Sequence, residues 1–447
     1  MSSSKRRRIL APRLFSLTCV RTEMSDLKVA DKLSGQRQRV LVVGAGIIGL
    51  AVALRLQQDG HGVTLVDRDE PMSGCSAGNA GHLTEANIFP PLSLELLMQL
   101  PRLLLMRDGP VVVRPSYALQ MAAWVRRALP TLNSDTKEQI VTTLAAMSLA
   151  AYEELKLLAQ ISGAEELLHR DGAIYAFRSL EALDKKAAAL AVWQANDVKV
   201  DRLDADELAE MEPALCRPLA GGFFFRNSGR CSDPKEFGMR MFRKLANAGV
   251  PFHKARVDDV QRTGDGLRLT TSSGDLQADK VVLCAGYGTG ELIRRLGGTA
   301  PLASERGYHL MLPQPSIALR RPVAFPEHYF IATPMDNGLR LGGTAEFCQP
   351  DAPPDYRRAH AMLGLVQQYL PGTSGTDAEP WMGVRPSLPD GLPTIGELTK
   401  RPGVLYAFGH GHTGLTLSGI TASCVSALLG GSAPGFDFSP LDLKRFE

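Results

Sequence analysis

The chain has 447 residues, of which 44% are hydrophobic and 22% charged, a composition typical of globular proteins and long enough for two or three domains. The net charge of +3 arises in residues 1–22, which hold six basic residues and no acidic one. The remaining chain therefore carries a net charge of −3, and a nucleic-acid-binding surface is not expected. Seven cysteines are scattered without a C-x-x-C pair, and no run of eighteen apolar residues occurs. We predict no disulfide framework, no metal site and no membrane span.

Residues 1–37 are predicted to form a disordered or dispensable N-terminal arm. The segment is basic, contains serine and is poor in acidic residues, as transit peptides are. Pro12 and Arg13 interrupt its apolar stretch, which does not suit a secretory signal. A transit peptide and an extension ahead of a second start at Met24 both stay open.

The stretch from Arg39 to Asp67 predicts a strand, a helix and a second strand. Arg39–Val43 is a β-branched, apolar run that ends at a glycine, which favours a buried strand. Leu50–Gln58 has the spacing of a helix, and Gly60 ends it. Val63–Val66 reads as the second strand.

A G-x-G-x-x-G motif lies between the first strand and the helix, at Gly44, Gly46 and Gly49. In dinucleotide-binding proteins these glycines make a tight turn, admit the pyrophosphate and let the helix pack closely on the strand. Asp67 follows about twenty residues later, where a carboxylate accepts hydrogen bonds from ribose hydroxyls and repels a ribose phosphate. Arg68 is a weak signal in the other direction. The motif predicts dinucleotide binding; a glycine-rich turn without a ligand is the alternative.

The middle of the chain alternates helical and strand patterns. Helices are predicted at 92–106, 117–128, 135–161, 232–249 and 355–369, the fourth with Ser232 or Asp233 as its N-cap. Strands are predicted at 172–177, 222–225, 250–253, 256–261, 267–271, 276–282 and 279–286, and around an Asp336-Asn337-Gly338 turn. The small residues of 74–81 predict a loop that runs close to a ligand.

Near the C-terminus, Val404–Phe408 is predicted to be a strand, 409–412 a turn and Thr413–Leu429 a helix whose N-terminus could stabilise negative charge on a ligand. His410 and His412 in this turn are candidates for a base or for local structural residues.

We predict an α/β fold with a discontinuous Rossmann-like dinucleotide-binding domain and a substrate domain built from an antiparallel sheet and helices. Residues 38–91, 226–300 and 378–437 are assigned to the first domain, and residues 92–225 and 301–377 to the second.

Six motifs resemble the D-amino-acid oxidase and dehydrogenase superfamily, most of all its bacterial D-amino-acid dehydrogenase type. They are the 44–67 motif, SAGNAG at 76–81, RCSDP at 230–234, ERGYHL at 305–310, WMGVRPSLPDGLPTIG at 381–396 and GHGHTG at 409–414. The resemblance spans about residues 38–435 and implies FAD as the cofactor. The residues expected to bind it are Gly44, Gly46, Ile47, Ile48, Gly49, Asp67, Arg68, Ser76, Ala77, Asn79, Ala80, Gly81, Val257, Ala285, Gly286, Gly411, His412, Thr413, Gly414, Leu415 and Thr416. Since Gly78 and Asn79 stand where a linking histidine would be, non-covalent attachment is expected.

The resemblance also implies three residues at the substrate. Arg385, in W-x-G-x-R-P, would bind a substrate carboxylate with two hydrogen bonds. Tyr308 would cover the substrate or donate a hydrogen bond to it, and Tyr329 and His328 on a facing strand are weaker candidates. A structural arginine and packed strand tyrosines are the alternatives.

The expected reaction is oxidation of a D-amino acid to an imine, which water hydrolyses to a 2-oxo acid and ammonia. A cyclic or N-substituted amino acid (D-hydroxyproline, sarcosine or glycine), an NAD-dependent dehydrogenase and a non-catalytic FAD-binding subunit of an amine-oxidising complex are the alternatives. The electron acceptor, whether quinone, electron-transfer chain or dioxygen, is left open. The expected location is cytoplasmic, with peripheral association at the inner membrane also open.

Overall fold

Two large sheets organise the chain. The computed structural model describes residues 37–95, 97–98, 109–264 and 266–447. The predicted arm, except residue 37, and most of the predicted 92–106 helix lie outside these residues.

The first sheet has six strands in the order β10-β2-β1-β14-β21-β20. They are β1 (Arg39–Val43), β2 (Gly62–Asp67), β10 (Phe252–Lys254), β14 (Lys280–Leu283), β20 (Thr394–Glu397) and β21 (Val404–Phe408). All neighbours are parallel except β20, which pairs antiparallel with β21. The carboxyl ends of the parallel strands therefore meet at one edge, where open α/β sheets bind ligands.

The second sheet has nine strands in the order β19-β15-β18-β17-β16-β6-β8-β7, with β4 beside β18. They are β4 (Val111–Val113), β6 (Ala173–Phe177), β7 (Val200–Leu203), β8 (Gly221–Phe225), β15 (Ala303–Leu312), β16 (Val323–Phe325), β17 (Phe330–Met335), β18 (Gly338–Phe347) and β19 (Glu379–Ser387). Most of its pairs are antiparallel. The predicted domain division stays a prediction; β19, which it groups with the FAD-binding segments, pairs with β15 in this sheet.

Two small sheets complete the strands. The first contains β11 (Val257–Thr263), β12 (Gly266–Thr271) and β13 (Gly274–Ala278), and the second β3 (His82–Leu83), β5 (Leu168–His169) and β9 (Gly229–Cys231). The predicted strand 276–282 is wrong, because the chain leaves the small sheet at Asp279. This residue accepts the Arg39 amide at 2.8 Å, and β14 then begins in the six-stranded sheet.

The described helices are α1 (Ile47–Gln58), α2 (Ala118–Ala128), α3 (Ser134–Ser162), α4 (Leu180–Ala187), α5 (Leu190–Ala195), α6 (Ala205–Met211), α7 (Pro234–Asn247), α8 (Thr289–Arg295), α9 (Arg357–Val366) and α10 (Ser418–Leu428). Their ends follow capping chemistry. Asn133 accepts amides at the start of α3, Gly163 ends that helix in the left-handed conformation, and Asp233 accepts the Glu236 amide at the start of α7.

Three apolar cores hold these layers together. The largest is built from α1, α3, α7 and α10 against the six-stranded sheet. The second lies between α9 and the back of the nine-stranded sheet, and the third between the six-stranded sheet and β11–β13. The front of the nine-stranded sheet and the carboxyl edge of the six-stranded sheet are left to line a common cavity.

Candidate active site

A cavity of about 2280 Å³ opens between the carboxyl edge of the six-stranded sheet and the front of the nine-stranded sheet. One wall comes from the turns that follow β1, β2, β14 and β21. The opposite wall includes Glu305, Gly307 and His309 of β15. The topology thus brings the predicted cofactor and substrate segments into one site, although they are far apart in sequence.

The turn between β1 and α1 is shaped as the motif predicts. Gly44 has φ +111°, and a Cβ on it would lie 2.4 Å from the Cys284 carbonyl oxygen. A Cβ on Gly49 would lie 1.8 Å from the Gly44 carbonyl oxygen, so the close packing of α1 on β1 requires glycine. The first amides of a helix have no acceptor within it. The Ile47 amide donates to the Ser76 hydroxyl at 3.1 Å. The positively polarised end of this helix, together with the Ser76 hydroxyl beside it, fits a phosphate group.

Asp67 closes the same turn from β2. Its Oδ2 accepts the Ala45 amide at 2.6 Å and its Oδ1 accepts the Asp69 amide at 3.0 Å, which fixes the carboxylate at the cavity wall. Arg68 is exposed and pairs with Asp69 at 3.0 Å.

Most residues predicted to bind the cofactor line this cavity; Gly49, Ala77 and Gly81 do not. Gly49 acts through helix packing. Gly81 has φ +71°, and its amide donates to the Asn79 side-chain oxygen at 2.8 Å. This amide is therefore not free to bind the cofactor.

The turn after β21 differs from the prediction. The helix predicted from Thr413 begins at Ser418, because the Thr413 amide and hydroxyl both donate to the His410 carbonyl and hold 413–417 in turns. The groups that face the cavity at 411–416 belong to the turn ahead of α10, in which the Leu417 amide already donates to the Thr413 carbonyl at 2.9 Å. The role predicted for this helix N-terminus stays a prediction. His410 is buried, its Nε2 lies 2.9 Å from the Thr421 hydroxyl, and burial lowers its pKa to about 3. These contacts favour the structural alternative for His410.

The pairing of β15 with β19 builds the other wall. Glu305 lies opposite Arg385, Gly307 opposite Gly383, and His309 opposite Trp381. Directly opposed residues share one face of a sheet, so these side chains all point to the front.

Gly307 makes room for Arg385. A Cβ on Gly307 would lie 2.1 Å from the guanidinium carbon, so the guanidinium lies flat across β15. Its Nη1 donates to Glu305 Oε1 at 3.0 Å and to the Thr344 carbonyl at 3.3 Å. Among the described residues, its Nε and Nη2 meet no protein acceptor. One edge of the guanidinium is therefore held by the protein while the other is available to a ligand.

Glu305 is the residue that the sequence interpretation missed. It is buried, and it accepts hydrogen bonds from Arg385, from His412 Nε2 at 2.8 Å and from the Ser387 hydroxyl. Burial raises the pKa of Glu305, but His412, Arg385 and Ser387 together outweigh burial and hold this pKa below its usual range. Glu305 is therefore an ionised carboxylate within the site. The period of two in ERGYHL, which puts residues 305, 307 and 309 on one face, was the available signal.

His309 and Trp381 connect this wall to the predicted loop. Their rings stack at 4.9 Å, and His309 Nδ1 lies 2.9 Å from the Gly78 carbonyl oxygen. Because a carbonyl only accepts, Nδ1 carries the hydrogen. A Cβ on Gly78 would lie 2.3 Å from the Trp381 ring, so the loop 74–81 packs directly on the front of the nine-stranded sheet.

Tyr308 also lines the cavity, but its contacts favour the alternative of a packed strand tyrosine, and its role at the substrate stays a prediction. It is 1% exposed, lies in the core against α9 and donates its hydroxyl to Glu346 Oε2 at 2.6 Å. Strand alternation turns it away from Gly307 and His309. Tyr329 lines the cavity in the left-handed conformation and is 49% exposed, which places it at the rim. His328 packs edge-on against Tyr369.

A protein-family model described as FAD dependent oxidoreductase (DAO) matches residues 39–428. D-amino-acid oxidase of Bradyrhizobium diazoefficiens is 30% identical over 92% of this chain and 99% of its own length. D-amino acid dehydrogenase of Rhizobium rhizogenes is 29% identical over 91% of this chain and all of its own length. Among solved structures, glycine oxidase from Geobacillus kaustophilus (24% identical) covers 91% of this chain and 98% of its own with a TM-score of 0.69. L-proline dehydrogenase from P. horikoshii (15% identical) covers 92% and 98% with the same TM-score.

The chain belongs to the DAO family of FAD-dependent oxidoreductases. It is an enzyme of this class with FAD as its cofactor, and the glycine turn at 44–49, the Asp67 carboxylate and the cavity fit that cofactor. In the described part of the chain, no helix is long and apolar enough to cross a membrane, and no group of three His, Cys, Asp or Glu side chains is arranged to hold a metal ion.

Proposed function

We propose that this protein oxidises a D-amino acid to an imine, which water hydrolyses to a 2-oxo acid and ammonia. The observation that carries the proposal is Arg385, whose guanidinium lies across Gly307 with its Nε and Nη2 edge open to the cavity. A planar guanidinium binds a carboxylate with two parallel hydrogen bonds. The preference for D-amino acids rests on the two curated relatives.

In this proposal the residues of the glycine turn hold the FAD pyrophosphate and Asp67 accepts hydrogen bonds from the adenosine ribose. Ser76, Asn79, Ala80 and residues 411–416 contact the cofactor, with attachment expected to be non-covalent. Bound FAD supplies the chemistry by accepting a hydride from the carbon that carries the amine.

The chain itself supplies position. Arg385 binds the substrate carboxylate and thereby orients the α-carbon. This orientation lowers the activation barrier in addition to the binding energy of the carboxylate, because the reaction requires a defined geometry. Glu305 holds the Arg385 guanidinium in place by accepting a hydrogen bond from its Nη1. Tyr329 at the rim would close the site over the substrate.

A substrate panel tests the proposal. Flavin-loaded protein is assayed with D- and L-amino acids, glycine, sarcosine and D-proline, first under air and then with an artificial electron-accepting dye. We expect the highest kcat/KM with a primary D-amino acid. A clear preference for a secondary amine, for glycine or for an L-amino acid would contradict the stated substrate class. The comparison of air with dye also tells whether dioxygen serves as acceptor.

A further inference from the structure

One oxygen of the Glu305 carboxylate contacts both Arg385 and His412 on the front of the nine-stranded sheet. Arg385 Nη1 and His412 Nε2 lie 3.0 Å and 2.8 Å from the same Glu305 oxygen, Oε1, while the Ser387 hydroxyl donates to Oε2. Glu305 is buried, and Arg385, Glu305 and His412 all line the cavity. The arginine proposed to bind the substrate is therefore already balanced by a negative charge in the site.

The contact with Glu305 also decides which nitrogen of His412 is free. An ionised carboxylate only accepts hydrogen bonds, so Nε2 carries the hydrogen. In the neutral ring the lone pair then lies on Nδ1. The His412 side chain is 58% exposed and lines the cavity, so a ligand there can reach the ring.

The charges of the cluster match an amino acid better than a simple carboxylate. When the His412 ring is neutral, the charges of Arg385 and Glu305 cancel, so a ligand that brings only a negative charge meets repulsion from Glu305 as well as attraction from Arg385. A ligand with a carboxylate and an amine on the same carbon brings both partners, because its amine can donate to the free nitrogen of His412.

We propose that Glu305 is a positioning residue that makes the site selective for amino acids over simple carboxylates, by balancing Arg385 and by orienting His412 to accept a hydrogen bond from the substrate amine. The proposal rests on the proposed function, since it takes Arg385 as the anchor of the carboxylate. If Glu305 were purely structural, it would only hold the Arg385 guanidinium and the strands in place. Its loss would then weaken the binding of every carboxylate ligand to the same extent.

D-Alanine and propionate separate these two roles, because they share a carboxylate and a carbon skeleton and differ in the amine. Propionate binding is followed through the change in flavin absorbance, without turnover, and D-alanine through kcat and KM. In Glu305→Gln we expect propionate to bind about three- to tenfold more tightly and kcat/KM for D-alanine to fall about tenfold or more. Glu305→Asp, which keeps the charge, should retain most of the wild-type selectivity.

Two further variants complete the test. His412→Asn, which replaces an exposed side chain, should lower kcat/KM for D-alanine and leave propionate binding unchanged. Glu212→Gln removes another buried carboxylate, one that accepts the Arg320 amide and does not line the cavity, and should leave the selectivity unchanged.

Parallel weakening of both ligands in Glu305→Gln, or unchanged selectivity in His412→Asn, would overturn the proposal. If Glu305→Gln does not fold, His412→Asn alone decides it. Failure of the proposed function looks different, since wild-type protein would then neither oxidise an amino acid nor bind propionate at the flavin.

Discussion

Replacement of Arg385 tests the substrate anchor. Arg385→Ala removes the open Nε and Nη2 edge, which would make two charged hydrogen bonds to the substrate. Charged hydrogen bonds contribute about 1.5–3 kcal/mol each. Because the arginine side chain is 23% exposed, we expect a loss on the order of 3 kcal/mol in transition-state stabilisation, or roughly a hundredfold in kcat/KM. Arg385→Lys keeps the charge but loses the planar fork, so we expect about a tenfold loss.

The assay compares D-alanine with ethylamine, its decarboxylated analogue. The loss should appear with D-alanine and be much smaller with ethylamine, if ethylamine reacts. Arg385→Ala also deprives buried Glu305 of a partner, so flavin content and unfolding temperature are measured with it. The double variant Arg385→Ala, Glu305→Gln removes that unpaired charge and should still lack activity on D-alanine. Equal losses on both amines, or no loss on D-alanine, would refute the reasoning.

Three further predictions concern the cofactor, pH and the arm. Gly46→Val should purify with little flavin, because the valine side chain would occupy the phosphate position beside Ser76 Oγ, to which a Cβ at residue 46 would already lie within 3.2 Å. Gly364→Ala is the control, because a Cβ there meets no atom within 4 Å. Full flavin content in Gly46→Val would show that the turn is misassigned. Burial lowers the pKa of His410 to about 3 from 6.5, so the unfolded chain takes up the proton first and the stability present above pH 6.5 is lost as pH falls towards 3. His410→Gln should therefore flatten the decline of the free energy of unfolding between pH 6.5 and 4 in urea titrations, by up to about 1.4 kcal/mol per pH unit; identical slopes would contradict this. Deletion of residues 1–23 should leave flavin content and turnover unchanged, and a large loss of either would show that the arm contributes to the fold.

Local signals predicted the cofactor half of the site well. The β1, α1 and β2 elements agree with the sequence interpretation because a buried strand, a glycine turn and an apolar helix follow one another within thirty residues. The capping residues of α3 and α7 were likewise readable, since a cap acts on its own helix.

The substrate half depended on pairing that the sequence does not reveal. Tyr308 was assigned to the site by motif, but the register of β15 with β19 turns it into the core and turns Gly307 and His309 outward. A register irregularity between β15 and β18 at Arg306/Tyr308 adds to the difficulty. The period of two in ERGYHL places Glu305 on one face with Gly307 and His309, but it does not reveal the partners of Glu305, which lie 80 and more positions away at Arg385, Ser387 and His412. The start of α10 was placed five residues early, because a turn that Thr413 holds against the His410 carbonyl precedes the helix.

The central claim is that a D-amino acid delivers its electrons to the flavin of this protein. The most direct measurement is anaerobic mixing of the flavin-loaded protein with D-alanine or another D-amino acid and, in parallel, with its L enantiomer. We predict that the D enantiomer abolishes the visible absorbance of the oxidised flavin and yields one 2-oxo acid and one ammonia per flavin, and that the L enantiomer reacts far more slowly. Retention of the oxidised spectrum with every D-amino acid, or bleaching without release of ammonia, would contradict the account.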